Sequence, residues 1–123
     1  MERVRAVRGA ITIENDTVED IKSATVELLT TIIENNNFEI SDIVFTEFTV
    51  TSDISAATPA KFARTELGWN TVPLMCTKEF EFENSLKKAI RVLIVFNSNL
   101  SQNDVVHVYL RGTEKLRPDL KLK

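Results

Sequence analysis

Cysteine and histidine are almost missing from this 123-residue chain: Cys76 and His107 stand alone. A single cysteine cannot close an intrachain disulfide, and a cysteine-based zinc site is excluded. Cys–His nucleophilic catalysis would have to use this one pair. Glycine is scarce too, at Gly9, Gly68 and Gly112 only, so no glycine-rich phosphate loop can be built. Positive charge is not in excess. The formal net charge is −3, which argues against a broad nucleic-acid surface, so any basic site must be local. Long apolar runs are absent; the longest, Val92 to Phe96, is far too short to span a bilayer. The opening residues Met1-Glu2-Arg3-Val4-Arg5 lack the apolar core of a signal peptide, so a cytoplasmic protein without a membrane partner is expected.

What is present fits one globular domain over residues 1–123: 43% of residues are hydrophobic and 27% charged. Residues 3–8 alternate like a strand, with Val4, Ala6 and Arg8 on one face. Residues 17–34 form the clearest helix. Asp16 or Thr17 can cap it, Asp16-x-x-Glu19 matches a capping pattern, and Val18, Ile21, Leu28, Leu29, Ile32 and Ile33 make its apolar stripe. A strand over 43–51 follows. A short helix then starts at Thr58-Pro59 and stops at Gly68. Strands are expected at 72–76, around Arg91 and at 105–110, with His107 and Tyr109 sharing a face of the last. One helical turn can precede Pro118. This order predicts an α+β fold, a single mixed sheet with helices on one face. The other face then needs a cover, which favours self-association.

One residue is out of keeping with its surroundings. Ile90-Arg91-Val92-Leu93-Ile94-Val95-Phe96 has no alternation and predicts a strand buried on both faces, yet it contains an arginine. A guanidinium cannot shed its proton there. Unpartnered, it would cost several kcal/mol. An anion must therefore face Arg91, either a protein carboxylate or one that arrives with a ligand.

Arg8, Arg64, Arg91 and Arg117 are cations at strand or helix positions, with Glu79 and Tyr109 beside predicted strands. Together they suggest a mould for a small polyanion, because the planar arginine fork grips a carboxylate with two parallel bonds. Each also has a plainer role. Arg91 and Glu79 can pair across neighbouring strands. Arg8 at a strand end can bend into solvent, and Arg64 can be solvated helix surface. Tyr109 can be a core or interface tyrosine, and Arg117 can cap the last carbonyls of a turn. Cys76 reads as a small buried hydrophobe and His107 as structural.

Several segments together resemble one family. They are Val7-Arg8-Gly9-Ala10-Ile11-Thr12, Pro59-Ala60-Lys61-x-x-Arg64, Val72-Pro73-Leu74-Met75-Cys76, Leu86-Lys87-Lys88-Ala89-Ile90-Arg91-Val92, His107-Val108-Tyr109-Leu110 and Leu116-Arg117-Pro118-Asp119-Leu120. In this order, over nearly the whole chain, they are similar to the small monofunctional chorismate mutases of the AroH class. The resemblance implies a homotrimeric pseudo-barrel with active sites at subunit interfaces. It implies the rearrangement of chorismate to prephenate, on the way to phenylalanine and tyrosine, with no metal or organic cofactor. It places Arg91 beside the breaking ether bond and Glu79 on the ring hydroxyl. Arg8 would hold a substrate carboxylate with Tyr109 nearby, and Met75 and Cys76 would line the same wall. Thr58, Ala60, Lys61 and Arg64 would come from the adjacent subunit, and Leu116 and Arg117 would close the mouth from a tail spanning 111–123. The chain departs from the family at Thr58, where phenylalanine is usual, and at Gly112-Thr113. Two other readings remain open on residues alone: a trimeric enzyme of the enamine/imine deaminase type, and a non-catalytic module binding a carboxylated metabolite or a protein partner.

Overall fold

The structure, a computed structural model, describes residues 1–116. Strand β1 runs Arg3–Thr12, longer than the alternation over 3–8 suggests, so Arg8 lies mid-strand and not at its end. Helix α1 spans Val18–Asn36. Thr17 is its N-cap, with Oγ1 accepting from the Asp20 N–H at 3.1 Å. Asp16 does not cap the helix. Its carboxylate crosses to the loop before the second helix and accepts from the N–H groups of Ser55 and Ala56. The Ala56 and Ser55 N–H groups hold this carboxyl below the usual range. Asn37 ends α1 in the left-handed region, φ 58°, with its N–H on the Ile33 carbonyl at 2.8 Å.

Strand β2 is Ile43–Val50 and helix α2 is Pro59–Leu67. Thr58 caps α2, Pro59 supplies its first position, and Gly68 ends it at φ 73°, as the sequence signals require. Strands β3 (Leu74–Lys78), β4 (Ala89–Ser98) and β5 (Val108–Tyr109) complete a mixed sheet. The strand order is β3-β2-β4-β1-β5. β4 is antiparallel to both neighbours, while β3 and β5 run parallel to β2 and β1. Both helices cover one face, giving the α+β layer expected. Among the described residues no helix is long and apolar enough to cross a membrane.

The core explains the register. Val7, Ile11, Phe48, Val50, Ile90, Val92, Ile94 and Phe96 point into the helix layer and are buried in one cluster with Leu28, Leu29 and Ile32 of α1. Fully burying one such side chain contributes roughly 1.5–3 kcal/mol. The opposite residues of β4, namely Arg91, Leu93 and Val95, are only half-buried. This corrects the expectation of a strand covered on both faces. Within one subunit β4 does alternate, and its second face is left open.

The final strand is also shorter than expected. Only Val108 and Tyr109 pair with β1. Ahead of them, side chains take the place of a ladder. Gln102 accepts from the Ala6 N–H at 3.0 Å and donates to the Ala6 carbonyl at 2.7 Å. His107 Nδ1 accepts from the Arg8 N–H at 3.0 Å. Buried Asn36 anchors the same segment, donating to the Val106 carbonyl and accepting from its N–H.

Gly9 sets the distance between β1 and α1. A β-carbon there would come within 2.8 Å of Ile32 Cδ1 and 3.1 Å of both Leu28 Cδ1 and the Val108 carbonyl. The two methyl groups can move, but the β5 backbone cannot. Gly9→Ala is therefore expected to cost about 1–3 kcal/mol, the range for overpacking a tight core. Thermal unfolding should register this as a Tm lowered by about 4–12 °C. An unchanged Tm would show that the sheet and helix are not in close contact at this point.

Candidate active site

Pairing register brings the candidate side chains to the open face. Residues paired across neighbouring strands share a face. Tyr109 pairs with Ala10, Ala10 with Arg91, Arg91 with Thr49, and Thr49 with Thr77. The next row holds Arg8, Leu93, Glu47 and Met75. Between these rows lies a cavity of about 330 Å³ lined by Arg8, Glu47, Thr49, Glu79, Arg91 and Tyr109 among others. Four of the residues singled out in the sequence thus meet in one place, although they come from three strands and a loop.

Glu79 follows β3 directly, its N–H held by the Val50 carbonyl at 2.8 Å. From there its side chain returns over the sheet. Arg91 Nη1 donates to Glu79 Oε2 at 2.9 Å, while the Thr49 hydroxyl donates to Glu79 Oε1. The glutamate side chain is 18% exposed and the arginine 37%. So the two readings of Arg91 coincide: it has a protein carboxylate, and it also borders open space. A partly exposed pair of this kind contributes only about 0–1 kcal/mol to stability. Stability alone does not account for a guanidinium on this face. Arg8 makes no ion pair among the described residues. Tyr109 is 3% exposed, and its hydroxyl finds no partner among the described residues. Buried hydroxyls are normally bonded, so this one stands out on a residue that also lines the cavity.

The other expected residues lie elsewhere in the subunit. Leu116 lines a neighbouring hollow of about 320 Å³ together with Arg91, Glu79, Phe80, Phe82 and Leu86. Met75 is on the correct face but 66% exposed at the sheet edge. The Cys76 side chain turns the opposite way, packing against the core in register with Phe48. It therefore does not share a side-chain wall with Met75. Alternate residues of a strand direct their main-chain groups to opposite edges. Since the Glu79 and Thr46 N–H groups mark the side bonded between β2 and β3, the Cys76 main chain points off the open edge. Thr58 lines a third hollow with Cys76 on the helix side. Ala60 is buried in α2, whereas Lys61 and Arg64 are exposed on it, away from the cavity. Arg117 lies outside the described residues.

Thr49 and Glu47 were not found from the sequence. Their signal was alternation in β2, which puts 47 and 49 on the open face once 46, 48 and 50 are core. No group of three or more Asp, Glu, His or Cys side chains is placed to hold a metal ion among the described residues.

Burial pushes the Cys76 thiol up, opposed by the charge of nearby Lys78. At neutral pH it should react with iodoacetamide more slowly than a peptide thiol, because the thiolate is the nucleophile. A faster rate in a timed alkylation assay would contradict this environment.

Comparison with known proteins bears on the family and the fold. The family model for chorismate mutase type I matches residues 4–120. The chain is 41% identical over 119 residues to chorismate mutase AroH of Bacillus subtilis (strain 168), covering 97% of this chain and 94% of that protein. It is 44% identical over 119 residues to chorismate mutase AroH of Thermus thermophilus, covering 96% and 97%. A solved chorismate mutase from Clostridium thermocellum superimposes with a TM-score of 0.86 at 41% identity, over 89% of this chain and 97% of that one. With a match of this extent to sequence and fold alike, the chain belongs to the chorismate mutase type I family.

Proposed function

We propose that this protein is an isomerase that rearranges chorismate to prephenate in the synthesis of phenylalanine and tyrosine, with Arg91 as its principal catalytic group. The observation behind the site assignment is that Arg91 has one carboxylate partner and still lines a cavity with Arg8 and Tyr109.

A pericyclic rearrangement needs neither nucleophile nor proton transfer, which suits a chain with one cysteine and one histidine. As the ether bond lengthens, negative charge grows on its oxygen. A cation already fixed there binds the transition state more tightly than the substrate, and that difference lowers the barrier. Every ~1.4 kcal/mol of such difference is about tenfold in rate. Arg8 holds a carboxylate of the flexible dianion, and Tyr109 supplies a hydroxyl beside it, so the reacting carbons stay close. Glu79, acceptor-only when ionised, takes the ring hydroxyl with the lone pairs left by Thr49 and Arg91.

The enzyme is a homotrimer whose sites are completed across subunit interfaces. Supporting this, one end of the open sheet face is apolar and uncovered: Val4 and Phe45 are exposed and Val95 is half-buried. Thr58, Ala60, Lys61 and Arg64 do not line the cavity of their own subunit, and are assigned to a neighbour's. Leu116, which lines the neighbouring hollow with Arg91, is assigned to the entrance. The protein acts in the cytoplasm. Static light scattering should give three times the 13.9 kDa subunit mass. Incubation with chorismate should show loss of its ultraviolet absorbance with prephenate formed in equal amount. Binding without turnover would instead favour a metabolite-binding module, and chorismate left untouched while an enamine is hydrolysed would favour a deaminase.

A further inference from the structure

We propose that Thr49 is a positioning residue for this reaction, acting through Glu79 to hold the Arg91 guanidinium in its productive orientation. The inference rests on the assignment of Glu79 and Arg91 made above. The cross-strand pair Thr49–Arg91 puts a hydroxyl and a guanidinium side by side on adjacent strands. They do not bond to one another. Glu79 lies over both, with Oε1 taken by the Thr49 hydroxyl and Oε2 by Arg91 Nη1.

This arrangement removes the freedom that a lone Glu–Arg pair would keep. Glu79 lies just beyond the end of β3, and its side chain has three rotatable bonds before the carboxylate. One hydrogen bond to Arg91 would let the two swing together. A second anchor on a different strand fixes the plane of the carboxylate, and hence the direction from which the guanidinium is held. The anchor is well chosen chemically. A hydroxyl donates to the carboxylate without adding charge, so it does not compete with Arg91 for the substrate. Thr49 is β-branched, and its side chain has few rotamers to lose on a strand. Arg91 keeps its remaining donors for the ligand.

The test compares steady-state kinetics of the wild-type trimer with Thr49→Val, Thr49→Ser, Glu79→Ala and the double variant Thr49→Val/Glu79→Ala, with Tm recorded for each. Thr49→Val keeps the shape and removes the donor. It is expected to lower kcat about tenfold, the loss appropriate to one charge-assisted hydrogen bond, with KM changed less than kcat. Thr49→Ser should restore kcat to near the wild-type value. On the Glu79→Ala background, Thr49→Val should cause no further loss, because its route of action is already gone. Should the valine variant fail to fold, Thr49→Ala serves as the second hydroxyl-free form. A normal kcat in the hydroxyl-free variants, with Glu79→Ala impaired, would overturn the role of Thr49 and leave the Glu79 assignment standing. The same loss on both backgrounds would show that Thr49 meets the substrate directly, and would overturn positioning. Normal turnover in Glu79→Ala would overturn the Glu79 assignment and this inference together.

Discussion

Replacing Arg91 by alanine should lower kcat about a hundred- to a thousandfold, the range found when one preorganised donor to a developing oxyanion is removed. The protein should nonetheless fold. The guanidinium is partly exposed and its pair with Glu79 contributes little to stability, while the buried side of β4 is untouched by the change. KM should rise far less than kcat falls, since the proposed contact would strengthen only as charge develops on the ether oxygen. Arg91→Lys separates two versions of the role. Lysine keeps the charge as a compact point and loses the planar fork. Little recovery means that two-pronged geometry is required, and substantial recovery means that charge suffices. Circular dichroism and light scattering establish that each variant is folded and assembled. Near-normal turnover by a folded Arg91→Ala would remove this residue from the mechanism.

The same arginine shows what a sequence can and cannot convey. Its presence among Ile90, Val92, Leu93, Ile94 and Val95 singles it out as needing an anion, from the protein or from a ligand, because an unpaired cation has no place in a core. The pattern does not say whose surface covers each face. Reading β4 as buried twice follows from its side chains alone; in the subunit Ile90, Val92, Ile94 and Phe96 join the core on the helix side, while Arg91, Leu93 and Val95 on the other face stay half-buried. Local signals served well where their physics is local. Thr58-Pro59 and Gly68 delimit α2 because capping and left-handed turns involve adjacent residues. Asp16 misled for the opposite reason: its carboxylate is occupied by Ser55 and Ala56, far away in the chain. The last strand was overextended for a like reason, since Gln102 and His107 bond the edge of β1 with side chains that no alternation reveals. Alternation over 3–8 puts Arg8 at a strand end, whereas β1 continues to Thr12 through Gly9, which the approach of α1 requires. Thr49 is the clearest omission. A threonine in a strand is ordinary, and only its register opposite Arg91 and its bond to Glu79 give it a role.

Arg8→Ala should give the complementary kinetic signature. Arg8 lies in the middle of β1 on the open face, in register with Leu93, and lines the cavity without an ion pair among the described residues. A half-buried guanidinium in that position is available to a ligand carboxylate before, during and after bond exchange. Its contribution is therefore mostly to binding that substrate and transition state share. A bidentate contact between arginine and carboxylate is charge-assisted, with about 1.5–3 kcal/mol per hydrogen bond to a charged group. Loss of one such contact should lower kcat/KM roughly a hundredfold, equivalent to ~2.7 kcal/mol. Most of this should appear as a raised KM, in contrast to Arg91→Ala. Some loss of kcat is expected as well, because a dianion held at one end only explores more conformations before its reacting carbons meet. Ionic strength offers an independent check. Added salt screens exposed charges over about 10 Å at 0.1 M, so it should raise the wild-type KM more than that of the variant. Equal salt responses, or a kcat/KM within twofold of wild type, would mean that the cation on β1 faces the cavity without holding the substrate. The carboxylate clamp would then have to come from another cation, with exposed Lys61 or Arg64 of an adjacent subunit the first to substitute.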